Sequence, residues 1–204
     1  MSKLDLKKQW KHLYEPTAKQ FTVVDVPQFA FLMVDGVGDP NTSPAYRAAI
    51  EALYAMAYTL KFTSKFKLDI DYPVMALESL WWVPDMAIFL TLSKDQWHWT
   101  ALIMQPPHIT AEMVEQARQD VARKRNPPAL PMFRLETFHE GLSAQIMYIG
   151  PYADEGPTIA RLHEFIAAQG YAPHGKHHEI YLGDPRRTTP ERLKTVIRQP
   201  LRRP

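Results

Sequence analysis

Hydrophobic and polar positions divide the chain into segments with two different periods. Phe29 to Val34 is an apolar run short enough for a buried strand. It ends in Asp35-Gly36-Val37-Gly38-Asp39-Pro40-Asn41, a dense turn signal. Ser43 then offers a hydroxyl cap and Pro44 a first helical position. Beyond them Tyr46, Ile50, Leu53, Ala57 and Leu60 recur at helical spacing, with Tyr54 and Tyr58 widening the stripe at one edge. Pro73 to Val83 and Trp97 to Met104 are rich in apolar and aromatic residues and read as strands. Between Thr110, a cap, and Val121 lies a second helix with Met113, Val114 and Ala117 on one face. The best linker is Lys124 to Pro131, with Asn126-Pro127-Pro128 at its centre.

The same order then returns. A strand from Ala144 to Ile149 meets Gly150-Pro151-Tyr152; a helix carries Ile159, Leu162 and Ile166 on one face and stops at Gly170. A strand from His177 to Leu182 ends in Gly183-Asp184-Pro185, and Leu193 to Ile197 suits a last strand. Both halves read strand, glycine turn, helix, strand, strand. The pattern predicts an α+β fold: a duplicated βαββ unit forming an antiparallel sheet, with helices on one face and a concave pocket on the other. One domain is expected over residues 1–204, with halves at about 27–125 and 132–204 and a polar lead-in over 1–26.

Composition changes this picture little. Of 204 residues, 46% are apolar and 23% charged, an ordinary globular balance. A net charge of +2 gives no reason to expect nucleic acid, the basic excess lying mostly near the C-terminus in Arg186, Arg187, Arg192 and their neighbours. With no cysteine, disulfide and thiol chemistry are excluded. The charged opening segment does not read as a signal peptide and no apolar run reaches membrane-spanning length, so a cytoplasmic protein without membrane partners is expected.

The candidate chemistry sits on two strands at matching places in the repeat, Glu78 and Glu179. Alternate residues of a strand share a face, so His177, Glu179 and Tyr181 point one way and His178, Ile180 and Leu182 the other. The apolar pair of the second set predicts that it meets the helices, leaving Glu179 and Tyr181 over the concave surface. Glu78 shares parity with Ala76, Leu80 and Trp82 in a strand whose two faces are both largely apolar. A carboxylate among aromatic residues is costly to leave unpaired. It is either ion-paired, or placed for a cationic or hydrogen-bonding ligand, or raised in pKa to serve as acid or base. Trp81, Trp82, Trp97, Trp99, Tyr54, Tyr152 and Tyr181 nearby favour a ligand site. His174, His177 and His178 lack metal-ligand spacing, so no metal is expected. Gly36-Val37-Gly38 lacks the third glycine of a dinucleotide fingerprint and no serine stands in a nucleophile elbow, so no cofactor and no covalent catalysis are expected.

Taken together, VDGVGDPNTSPAY, AIEALYAMAYTLKF, LESLWW, WHWTALIMQP, YIGPYADEGPTIARLHEF and HHEIYLGDPRRTTPERLKTVIRQP resemble the GyrI-like small-molecule-binding family, most closely its stand-alone branch. The resemblance implies a duplicated βαββ fold around a pocket for a small organic molecule. Related pockets in multidrug-responsive regulators take lipophilic cations on a Glu ringed by aromatics, and by motif that Glu is Glu179. No helix-turn-helix is read in these residues, so a transcription regulator is not expected. Stand-alone members include cofactor-independent hydrolases of cyclopropanoid genotoxins; others sequester ligands, and some are inhibitors of a protein partner. The resemblance thus implies detoxifying hydrolysis, with a sequestering protein or an inhibitor of a protein partner, either without turnover, as the alternative. Glu179 and Glu78 are the acid/base candidates and Tyr181 a polar assistant, with Trp82, Tyr152, Tyr54, Trp97 and Trp99 holding the ligand. The chain departs from the family at Ser79, where Gly is frequent, at Ala76 in place of Pro, and at Tyr148, where His is common.

Overall fold

A computed structural model describes residues 2–89 and 91–204. The strands longer than two residues are β1 (Thr22–Val37), β2 (Leu77–Trp82), β3 (His98–Gln105), β4 (Arg134–Ile149), β5 (His177–Tyr181) and β6 (Lys194–Arg202). The helices are α1 (Pro44–Lys67), α2 (Ala111–Lys124) and α3 (Gly156–Ala168). The caps form as the sequence predicts: Ser43 Oγ accepts from the Tyr46 amide and Thr110 Oγ1 from that of Met113. The halves are β1-α1-β2-β3 and β4-α3-β5-β6, with α2 inserted between them, so the duplicated βαββ unit is present.

Every pairing in the main sheet is antiparallel, in the order β4-β1-β3-β2-β5-β6. Because β4 also pairs with β6, the ladder returns to its start and the six strands form a ring. The first strand of each half is 16 residues long, much longer than its apolar run, and this length lets β1 and β4 close the ring on each other. Pro27 lies within β1, where it cannot donate to the ladder.

Paired residues share a face, so register sorts the side chains. One row reads Val34, Ala101, Ser79, Glu179, Ile197, Ile146; the adjacent row reads Met33, Leu102, Glu78, Ile180, Val196, Met147. The first row lies under the helices: Ile146 and Ile197 pack with Ile159, Leu162 and Ile166 of α3, and Tyr46 of α1 reaches Ser79. The second row faces the inside of the ring, which the lead-in segment fills. Leu6, Leu13 and Tyr14, on two short helical turns (Leu6–Gln9 and Lys11–Tyr14), are buried there.

Two corrections to the sequence reading follow. Glu179 and Tyr181 face the helices, whereas His178 and Ile180 face inward. Glu78 and Glu179 therefore stand on opposite sides of the sheet and cannot share a pocket. Apolarity misdirected the assignment because both faces are buried: Ile180 is fully buried on the side away from the helices.

Candidate functional site

On the helix side, Glu179 is held by its own strand. Tyr181 Oη donates to Glu179 Oε2 at 2.6 Å, and His177 Nε2 lies 3.2 Å from Oε1. Both are two residues away, so strand geometry alone brings them to one face. Trp81 Nε1 donates to the Tyr181 oxygen at 3.3 Å, and Tyr46 Oη bonds Ser79 Oγ at 2.7 Å. The Tyr46 ring lies 5.5 Å from Trp81 and edge-on to Trp99 at 5.0 Å. Trp97 continues the wall, 5.9 Å from Trp81 and stacked on Phe89 at 4.3 Å. At the other end Tyr152 meets Tyr181 edge-on at 5.4 Å, and Tyr54 of α1 feels the charges of this end of the site.

The carboxylate that completes the cluster is Glu155, at the start of α3 and 4% exposed. Burial, then the negative charge of Glu179, pushes its carboxyl far above the ordinary range, and the nearby Thr195 hydroxyl offsets only part of this. Burial pushes Glu179 the same way, but the hydrogen bond and charge of His177 and the Tyr181 hydroxyl outweigh it and hold Glu179 below the ordinary value. A buried and a part-buried carboxyl thus divide their roles, one protonated and one ionised. Burial raises the phenols as well, Tyr46 beyond the usual range and Tyr152 to about 12, so both remain neutral donors. Glu155 Oε1 and the indole N–H groups of Trp97 and Trp99 are buried without a partner among the described residues.

Glu78 has a different setting. Its carboxylate accepts from Tyr14 Oη at 2.8 Å and lies 3.0 Å from His178 Nε2. The other His178 nitrogen is 2.9 Å from Glu140, which Arg198 also pairs at 3.0 Å. Arg198 further donates to Gln145 and to the Leu13 carbonyl. Four charged side chains from four strands thus satisfy one another inside the ring and anchor the lead-in segment. Only about 10 Å³ of space remains beside them. Trp82 also leaves the site, since it shares the Glu78 face; its ring stacks on His98 and carries Lys176 Nζ at 3.4 Å.

Of the residues expected from sequence, the fold gathers Glu179, Tyr181, Tyr152, Trp97 and Trp99 and brings Tyr54 to their edge, while Glu78 and Trp82 lie elsewhere. The sequence reading overlooked Glu155, Tyr46 and Ser79. Tyr46 was visible only as a member of a helix stripe, and Ser79 only as a strand residue where the family often has Gly. Among the described residues no group of three His, Asp or Glu side chains is disposed to hold a metal ion, and no helix is long and apolar enough to cross a membrane.

The model of the GyrI-like small molecule binding domain matches residues 101–202. An uncharacterised conserved protein from Listeria innocua is 36% identical, over 98% of this chain and 100% of its own, with a TM-score of 0.88. The chain belongs to the GyrI-like small-molecule-binding family. A Listeria innocua protein described as a hydrolase shares the GyrI-like fold at 35% identity, over 98% of this chain and all of its own, with a TM-score of 0.85. The C-terminal domain of EcmrR, 9% identical at a TM-score of 0.56 over 91% of this chain and 98% of its own, shares the fold alone. No curated protein matches the chain. A small-molecule partner fits a GyrI-like small molecule binding domain.

Proposed function

We propose that the protein hydrolyses a small, flat organic electrophile of the cyclopropanoid class at Glu179, with Glu155 as the proton donor. The observation that carries this reading is the pair itself: a part-buried carboxyl held ionised by its neighbours and a buried one kept protonated, side by side under an aromatic wall. Such a pair can take one proton and give another without a cofactor.

In a cyclopropane fused to a dienone, water attacks the ring methylene and the strained C–C bond breaks. Its electron pair moves through the ring to the ketone oxygen, which becomes a phenol oxygen. Glu179 accepts the proton lost by water, and Glu155 supplies the proton that the oxygen gains. Atoms balance as substrate plus one water. The Tyr181 hydroxyl keeps Glu179 oriented, and Tyr152, Trp97 and the edge of Tyr54 form an apolar seat for the flat ring. The Listeria innocua relative described as a hydrolase fits this class of reaction. Glu78, ion-paired inside the ring, has a stabilising role in this reading, and Trp82 takes no part in ligand contact.

The test uses a simple spirocyclopropyl cyclohexadienone, followed by the ultraviolet change from dienone to phenol. The wild-type protein accelerates the conversion over buffer. Glu179→Gln lowers it by about two orders of magnitude or more, with dienone affinity changed by only a few fold. Stoichiometric binding with no phenol formed by the wild type would show a sequestering protein instead.

A further inference from the structure

Helix α1 carries a row of aromatic side chains that the fold leaves uncovered. Tyr54, Tyr58, Phe62 and Phe66 follow one another at four-residue spacing, which sets them along one side of the helix. Their rings form a ladder, with successive centroids 6.3, 6.5 and 6.0 Å apart. Tyr54 is half-buried at the edge of the reaction centre. Beyond it Tyr58 is 48% exposed, Phe62 46% and Phe66 75%. Exposed apolar side chains are ordinary when scattered, but a contiguous row of them marks a surface for contact. The three outer rings present about 350 Å², and two such rows face to face would bury about 700 Å². The flanking side chains of a 24-residue helix bring that towards the roughly 1,000 Å² that a stable interface needs.

The row is symmetrical about Tyr58. Tyr54 lies four residues before it and Phe62 four after; Glu51 lies seven before and Lys65 seven after. Seven residues make nearly two turns, so both charges stay on the aromatic side. Their signs are opposite. Glu51 is exposed and makes no ion pair among the described residues, while Arg47, one turn earlier, bonds to the Thr42 carbonyl. Lys65 shares the single carboxylate of Asp71 with Lys61, which leaves that group of three with a net positive charge. A two-fold axis through Tyr58 reverses one helix against the other. It sets Tyr58 on its own copy, Tyr54 on Phe62 of the partner subunit, and Glu51 on the partner's Lys65. Helices running in the same direction would instead oppose Glu51 to Glu51 and Lys65 to Lys65, which like charges disfavour.

We infer that the protein pairs with a second copy of itself through this face of α1, as an antiparallel helix pair crossing at Tyr58. The pairing does not depend on the proposed reaction; of these residues, Tyr54 alone belongs to that site.

Sedimentation equilibrium of the full chain tests the pairing. At about 100 μM, above a micromolar Kd, the wild type has twice the mass of one chain. Tyr58→Glu brings two like charges together on the axis and weakens association about a hundredfold. Its melting curve matches the wild type at a dilution where both are monomers. The chain has no cysteine, so a single introduced thiol reports position cleanly. Tyr58→Cys meets its own copy and oxidises to a covalent dimer. Phe66→Cys, eight residues from the axis and about 24 Å from its copy, does not. A wild type that stays monomeric at about 100 μM overturns the inference, as does a dimer that survives Tyr58→Glu unweakened. Absence of cross-linking in Tyr58→Cys, or equal cross-linking in both cysteine variants, refutes the antiparallel register. Should Tyr58→Glu fail to fold, the two cysteine variants decide alone. Monomers that sediment with phosphatidylglycerol vesicles would make the row a membrane-contact surface and refute the pairing.

Discussion

Glu155 is protonated because it is buried beside a carboxylate already satisfied by His177 and Tyr181. This asymmetry dictates a pH profile. The proposed reaction would need Glu179 ionised and Glu155 protonated. Its rate falls on the acid side as Glu179 gains its proton, below the ordinary carboxylate range, and on the alkaline side as Glu155 loses its own, well above that range. Glu155→Gln cannot deliver a proton, so a rate measured against pH should drop by about a hundredfold or more and lose its alkaline limb. An unchanged alkaline limb in this variant would assign that limb to another group. A second prediction concerns packing. The Trp99 ring lies so close over Gly36 that an added Cβ would come within 2.1 Å of Cζ2. Trp99 is fully buried and cannot withdraw. Gly36→Ala should cost about 1–3 kcal/mol in chemical denaturation. The glycine is legible in sequence as part of a turn, but its real constraint is a tryptophan 63 positions away that only the β1–β3 register brings over it.

Strands β2 and β5 pair with Ser79 opposite Glu179 and Glu78 opposite Ile180, so a shift of one residue separates two kinds of carboxylate. Exchanging each for glutamine distinguishes them. Glu78→Gln breaks a buried ion-paired network and should cost about 3–5 kcal/mol of stability, while the folded fraction still converts the dienone. Glu179→Gln should do the reverse, and equal stability losses in the two variants would contradict the division. The helices, their caps and the repeat were legible because periodicity, capping residues and glycine turns are local signals. The facing of β5 was not, because an alternation argument needs one wet face, and a closed sheet with a plugged interior has none. Glu155 was also illegible: its segment reads as an ordinary polar turn, and its chemistry arises from the approach of α3 to β5.

Across the whole molecule, the lead-in segment is the stopper of a closed sheet, and its hold depends on protonation. Burial alone would lower the His178 pKa, but Glu140 and Glu78 raise it to about 9 from the ordinary 6.5. Burial would raise Glu140, but His178 and Arg198 hold it at about 2 against the ordinary 4.5. The sign of each contribution follows. The raised His178 stabilises the fold fully below its unfolded pKa and loses that effect as pH climbs through about 9. The lowered Glu140 stabilises above 4.5 and loses its effect as pH falls through 2. The network is thus strongest between the two unfolded values, on the mildly acid side of neutrality. Glu155, also raised, adds to the alkaline decline from across the sheet, so the two must be separated. In Glu155→Gln, denaturation at about pH 6 and about pH 9, below the range where the tyrosines titrate, should still differ by roughly 3 kcal/mol, the work of deprotonating His178 between Glu140 and Glu78. Tyr14→Phe removes the hydroxyl that joins the lead-in segment to Glu78, and should cost about 1.5–3 kcal/mol at the lower pH. Hydrogen exchange of the Leu13 and Tyr14 amides then identifies what opens: exchange that accelerates with pH beyond the intrinsic rate marks release of the stopper, and exchange at the intrinsic slope would mean that His178 titrates without loosening it.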